Sequence, residues 1–295
     1  MGDTGKHREN EAELPRHLAK ALKTRWRRYR KALQRCQRKF TETAVHDSRI
    51  ETRRMLSILE LLGAFLPESH LKKSRRLLKR HLDSFAEVRD TQVQLLLVAS
   101  LVSKFPELAA FQALLRRRER RGIKEARKKI KRVPIARLHD LIDDLRRELR
   151  SLHHHQARRA SGEAVARAFA KVESRRRRIQ ADDTGTIHRT RVAFKHFRYM
   201  VEGLAGTLPG LTRARLRAMQ AYQTLMGEIQ DCEVFLAALH RYAEKHRPEV
   251  ATAARWFAEL ERRKRRLVAR YLKRADALNG FWPLPGLAVP ARSAR

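Results

Sequence analysis

The chain has 295 residues, with 68 Lys or Arg against 32 Asp or Glu, a formal net charge of +36. A hydrophobic content of 42% is enough to build real cores and excludes a disordered basic tail, while the charge imbalance makes the folded chain repel itself until an anion covers it. Two cysteines, Cys36 and Cys232, have no metal-type spacing, no apolar run approaches the roughly 18 residues of a membrane span, and the polar start "MGDTGKHRENEAEL" lacks a secretory apolar core, so a cytoplasmic location is expected.

In chain order, residues 1–13 read as a disordered tail. Apolar residues then recur at three- and four-residue spacing with no period-two stretch, which predicts an all-α chain. The expected helices cover 14–40, 43–66, 69–84, 87–105, 107–132, 134–160, 161–181, 185–207, 210–226, 229–246 and 249–278. Thr43 and Thr186 are the expected N-caps, and Pro67 and Pro209 the expected stops. Residues 279–295, "NGFWPLPGLAVPARSAR", form a Pro/Gly-rich tail whose Phe281 and Trp282 suit a strap packed on the last helix, or else a docking peptide.

The chain repeats itself. "VHDSRIETRRMLSILELLGAFLP" (45–67) aligns with "IHRTRVAFKHFRYMVEGLAGTLP" (187–209) at an offset of 188 − 46 = 142, so that His46 falls on His188, Arg49 on Arg191, Arg53 on Lys195 and Glu60 on Glu202. Downstream, Glu87-Val88-Arg89-Asp90 falls on Glu228-Ile229-Gln230-Asp231 at 231 − 90 = 141. This predicts duplicated helical bundles, 14–150 and 151–278, related by a pseudo-twofold axis. On each repeated helix one side is apolar (Met55, Leu59, Leu62 and Leu66; Phe197, Val201, Leu204 and Leu208). His46, Arg49 and Arg53, like His188, Arg191 and Lys195, form a cationic row at i, i+3 and i+7. If the axis brings the rows together they line one groove.

The doubled "V/I-H-x-x-R-V/I-x-x-R/K" and "E-V/I-x-D-x-x-V" elements resemble the CHAD domain, the conserved-histidine α-helical family, over about 14 to 278. The resemblance implies two helical bundles around a central basic groove that binds inorganic polyphosphate, with association to polyphosphate granules. By position it implies groove roles for His46, Arg49, Arg53, Arg54, His188, Arg191, Lys195, Arg198 and Tyr199, with Arg89 and His196 beside them. Phe197 and His196 stand where the family favours a basic pair, and Gln230 stands opposite Arg89, so the second half is expected to bind more weakly.

The chemistry suits such a ligand. Polyphosphate has charge and no bases; Arg grips two phosphate oxygens with its fork and Lys supplies a point charge. Aromatic residues, which single-stranded nucleic acid usually demands for stacking, are 6% of the chain. The basic runs "LKKSRRLLKRHL" (71–82), with Lys72, Arg76, Lys79 and Arg80, and "RWRRYRK" (25–31), with Arg25 and Arg28, are candidate extensions of the groove; their plain alternative is a solvated helix face. Asp90 and Asp231 are expected to cap their helices or to orient groove arginines. "LHHHQ" (152–156) turns its histidines in different directions, so no metal site is expected. No HExxH, Walker A, nucleophile elbow or CxxC pair occurs, and no catalytic residue or cofactor is expected. The expectation is a non-enzymatic polyphosphate-binding protein working with granule-associated partners, away from membranes; a nucleoid-type nucleic-acid binder is the alternative.

Overall fold

A computed structural model describes residues 13–205 and 210–284. The helices are α1 (Glu13–Arg38), α2 (Glu42–Leu62), α3 (Glu68–Ser84), α4 (Ala86–Ala99), α5 (Ala109–Lys131), α6 (Ile135–Arg150), α7 (His154–Arg176), α8 (Thr184–Gly203), α9 (Arg213–His246) and α10 (Val250–Leu272). Short 3-10 turns cover Pro106–Leu108 and Ala275–Phe281. There is no strand among the described residues, and none of their helices is long and apolar enough to cross a membrane.

Several boundaries differ from the sequence expectation. The N-cap of α2 is Thr41, whose hydroxyl accepts from the Ala44 amide, and that of α8 is Asp183, which accepts from Gly185; Thr43 and Thr186 lie inside the first turns. Helix α2 stops at Leu62, short of Pro67, because Arg75 of α3 folds over its end and donates to the Leu59 carbonyl at 2.8 Å. A Cβ at Gly63 would lie 2.6 Å from that guanidinium, so glycine makes the stop possible, and Pro67 starts α3 instead. Pro209 and Leu208 lie outside the described residues. The two helices expected over 210–226 and 229–246 are one continuous α9, since no breaker separates them.

The larger core draws on α1, α2, α3, α6, α7, α8 and the first half of α9, and so on both repeats. A smaller core joins α4 and the start of α5 to the C-terminal half of α9 and to α10. Burial follows the predicted apolar sides: Met55, Leu59, Leu62, Phe197, Val201 and Leu204 are all buried. After α10 the chain doubles back, and Phe281 packs against Phe194 and Tyr222 while Trp282 packs against Phe169 and Phe197. Up to Leu284, which is also buried, the C-terminal segment is therefore a strap, with its aromatic rings on α7, α8 and α9 where the sequence predicts packing on the last helix.

Candidate functional site

Helices α2 and α8 pack directly on one another, and their contacts are reciprocal. Arg54 Nε of α2 lies 3.3 Å from Glu202 of α8, and His196 of α8 lies 2.5 Å from Glu60 of α2. Under the offset of 142, Arg54 corresponds to His196 and Glu60 to Glu202, so each half gives the other what it receives. Residues on an axis must meet their own counterparts, and they do. The Cβ position of Gly203 lies 3.6 Å from Leu61; Arg53 acts electrostatically on Lys195, and Asp90 on Asp231.

The groove forms where α2 and α8 meet the start of α4 and the middle of α9. Arg49, Arg53, Arg191 and Lys195 converge there with Arg89. Lys195 feels Arg53, Arg191 and Arg49 together; burial first, and those three charges after it, push its ammonium down to about 7. Burial, with Arg53 adding, pushes the Arg49 guanidinium down to about 10. Among the described residues, no carboxylate forms an ion pair with Arg49, Arg53, Arg191 or Lys195. Arg49 Nη1 donates to the Leu82 carbonyl at 3.1 Å, while Arg49 Nε, Arg191 Nε and His188 Nδ1 are buried without partners. Buried cationic donors left unpaired are costly, and an anion would satisfy them.

The two histidines sit at equivalent edges. His46 is exposed and lies near Arg89, and His188 is half-buried and hydrogen-bonded to Gln230, at the position corresponding to Arg89. Burial lowers both pKa values first, and Arg89 for His46 and Arg191 for His188 lower them further, so both imidazoles are neutral at pH 7. Arg89 is held by Glu42 at 2.7 Å.

Asp90 and Asp231 cap nothing: α4 begins after Phe85, and Asp231 lies in mid-helix on α9. Their charges act instead on the groove cations, Asp90 on Arg49 and Arg53, and Asp231 on Arg191 and Arg89. Burial raises the Asp231 pKa, with Asp90 adding, against the pull of Arg191 and Arg89.

Of the other residues expected in the groove, Tyr199 acts on Arg53, while others are engaged with carboxylates or lie on exposed faces. Arg54, Arg25 and Arg198 form a network with Glu51 and Glu202. Arg54 pairs with Glu51 at 2.5 Å, Arg198 with Glu202 at 3.1 Å, and Arg25 lies 3.9 Å from each carboxylate. Arg198 also donates to Gln223 at 3.0 Å and Gln220 at 2.5 Å, and stacks on the buried Tyr199. Three guanidiniums against two carboxylates make a structural brace, held by charge even where Arg25 Nη1 and Arg54 Nε are buried without a hydrogen-bond partner. Arg28 is exposed beside Arg25. His196 lines a cleft of about 780 Å³ between α7 and α8 that His188 also lines and that the end of α2 closes. Lys72, Arg76, Lys79 and Arg80 form an exposed row on α3 without ion-pair partners among the described residues. Spacing alone did not reveal Gly227 of α9, against which the Arg191 guanidinium packs, its Nε 3.5 Å from the Cβ position. Among the described residues no cluster of His, Cys, Asp or Glu could hold a metal ion. His153 is exposed, and the side chains of His154 and His155 lie outside the described residues.

No curated protein matches the chain. Among solved structures, the CHAD domain from the plant Ricinus communis superposes with a TM-score of 0.68 at 22% identity, covering 94% of this chain and 95% of that one. PptA from Streptomyces chartreusis superposes with a TM-score of 0.63 at 17% identity, covering 90% and 99%. At such identities the likeness is one of fold. The family comparison is more direct: the CHAD domain matches residues 20–240, most of the chain, over the helices that carry both histidine rows. The chain belongs to the CHAD domain family.

Proposed function

We propose that this protein holds inorganic polyphosphate in the groove between α2 and α8, and through it attaches itself or a partner to polyphosphate granules. The observation that supports this reading is the convergence of Arg49, Arg53, Arg191 and Lys195 from both halves with no carboxylate paired to any of them. A string of phosphates presents an acceptor to each donor without requiring a base-recognition surface. Neutral His46 and His188 at the two edges each add a hydrogen-bond donor at little electrostatic cost. The role in this reading is binding rather than catalysis: Asp90 and Asp231 act on the groove cations through their charge, without an ion pair among the described residues. The test is a titration of the protein with polyphosphate at physiological salt, repeated with Arg49, Arg53, Arg191 and Lys195 all changed to Ala. Binding should weaken by at least tenfold with helicity unchanged, and duplex DNA should displace polyphosphate poorly. A fourfold variant with full affinity would place the ligand elsewhere.

A further inference from the structure

A second cationic surface lies outside the groove, along the seam between α1 and α6. Arg16, Lys20, Lys23, Arg27 and Arg30 follow one another at three- and four-residue steps, so they share one face of α1, with Lys31 beside them at its edge. They form no ion pairs among the described residues. Facing them, α6 presents His139, Arg146 and Arg150; its one carboxylate at this seam, Asp143, is held by Arg146 at 2.5 Å and lies 3.5 Å from His139. Two abutting clefts, of about 800 and 540 Å³, share Lys20, Lys23 and Arg146 and make a continuous trench.

The trench differs from the groove in having an aromatic floor. The His139 ring lies nearly parallel to Trp26, 8° between planes with centroids 5.9 Å apart, and Trp26 Nε1 donates to His139 Nδ1 at 3.1 Å. Trp26 in turn stacks on Tyr29, and its in-plane N–H grips the edge of the imidazole, so His139 is held in place by a ring anchored in the core. Trp26 meets His139 at its edge and leaves the faces of the imidazole uncovered by it, and the side chain is 46% exposed. A bare phosphate chain would find no use for a fixed, open ring at this point. A nucleobase would, because every base offers a face for stacking.

We propose that the α1–α6 trench binds single-stranded nucleic acid, with a base laid on His139 and the flanking phosphates on the α1 cations. The α1 row from Arg16 to Lys31 spans about 22 Å at 1.5 Å per residue, room for three or four nucleotides rather than one. Duplex is a poor fit, since its bases are stacked away inside.

The experiment measures the affinity of a fluorescein-labelled 12-nucleotide single strand at physiological salt, using the full chain with its groove disabled by Ala at Arg49, Arg53, Arg191 and Lys195. On that background, His139→Ala should weaken binding roughly five- to tenfold, a typical loss for one stacked base. His139→Tyr, which keeps a ring, should restore most of it, with melting curves reporting that both variants fold. Lys23→Glu with Arg27→Glu should weaken binding further and flatten its salt dependence. Unlabelled polyphosphate, duplex of equal length and a mononucleotide should each compete poorly. The proposal is overturned if His139→Ala binds the strand as tightly as its parent, or if polyphosphate displaces the strand as well as unlabelled strand does. Because the groove is disabled throughout, the outcome is independent of whether polyphosphate binds there.

Discussion

Arg53 and Lys195 occupy equivalent places in the two halves, and the Arg53 guanidinium lowers the tendency of Lys195 to hold its proton. Lys195 gives way, with its pKa brought down to about 7. A phosphate string bound there would restore the charge, so binding should take up a proton near neutrality. Affinity is expected to fall as pH rises from 6 to 8.5. Calorimetry in two buffers of different ionisation enthalpy reads the proton directly, and Lys195→Met should abolish the uptake. The sign for stability runs the other way: the unfolded lysine holds its proton up to about 10.4, so the free protein should gain stability as pH rises from 7 towards 10.

Salt gives a second measure. For a flexible single-stranded polyanion each neutralised phosphate contributes about −0.7 to the slope of log K against log salt. If Arg49, Arg53, Arg89, Arg191 and Lys195 each meet one, the slope should be about −3.5. Replacing Arg49, Arg53, Arg191 and Lys195 with Ala should leave it at about −0.7; a slope unaffected by these changes would show that other cations carry the ligand.

Glu60 and Glu202 are equivalent in sequence but not in burial, since their side chains are 53% and 10% exposed. Glu202→Gln strips a carboxylate from beside Arg54, Arg198 and Arg25 and is expected to cost about 3 kcal/mol in chemical denaturation. Glu60→Gln breaks only the exposed pair with His196 and should cost under about 1 kcal/mol. Equal losses would mean that the brace around Glu202 is not desolvated as its geometry implies.

His81 is fully buried, shares a hydrogen bond of 2.7 Å with Tyr29, and has its pKa pushed down by burial to about 4. The unfolded chain binds that proton near 6.5 and the folded chain does not, so stability should fall as pH drops from 6.5 to 4. His81→Phe should flatten this part of the stability profile, as followed by melting temperature across the range.

The repeat was the most legible feature of the chain, because a constant offset needs no tertiary information. The apolar sides of α2 and α8 and the rows His46–Arg49–Arg53 and His188–Arg191–Lys195 came directly from helical periodicity. Periodicity could not tell Arg53 from Arg54. They are neighbours on one helix, but one turns to the axis while the other meets Glu202, which lies 148 residues away in sequence (202 − 54). The sequence predicts a break between 226 and 229, but residues 213–246 contain no proline and run as one helix, whereas at the start of α4 Phe85 separates two helices. The end of α2 at Gly63 was hidden for a similar reason, since it depends on Arg75 reaching back from the next helix.

Leu61 against Gly203 shows what fusing two copies into one polypeptide permits. A homodimer of one half would have to set leucine on leucine at its symmetry axis, forcing the backbones apart, or glycine on glycine, leaving a hole. Once both copies lie on a single chain, one can supply the bulk and the other the space. The main chains of α2 and α8 can then approach closely while the opening beside them keeps its width.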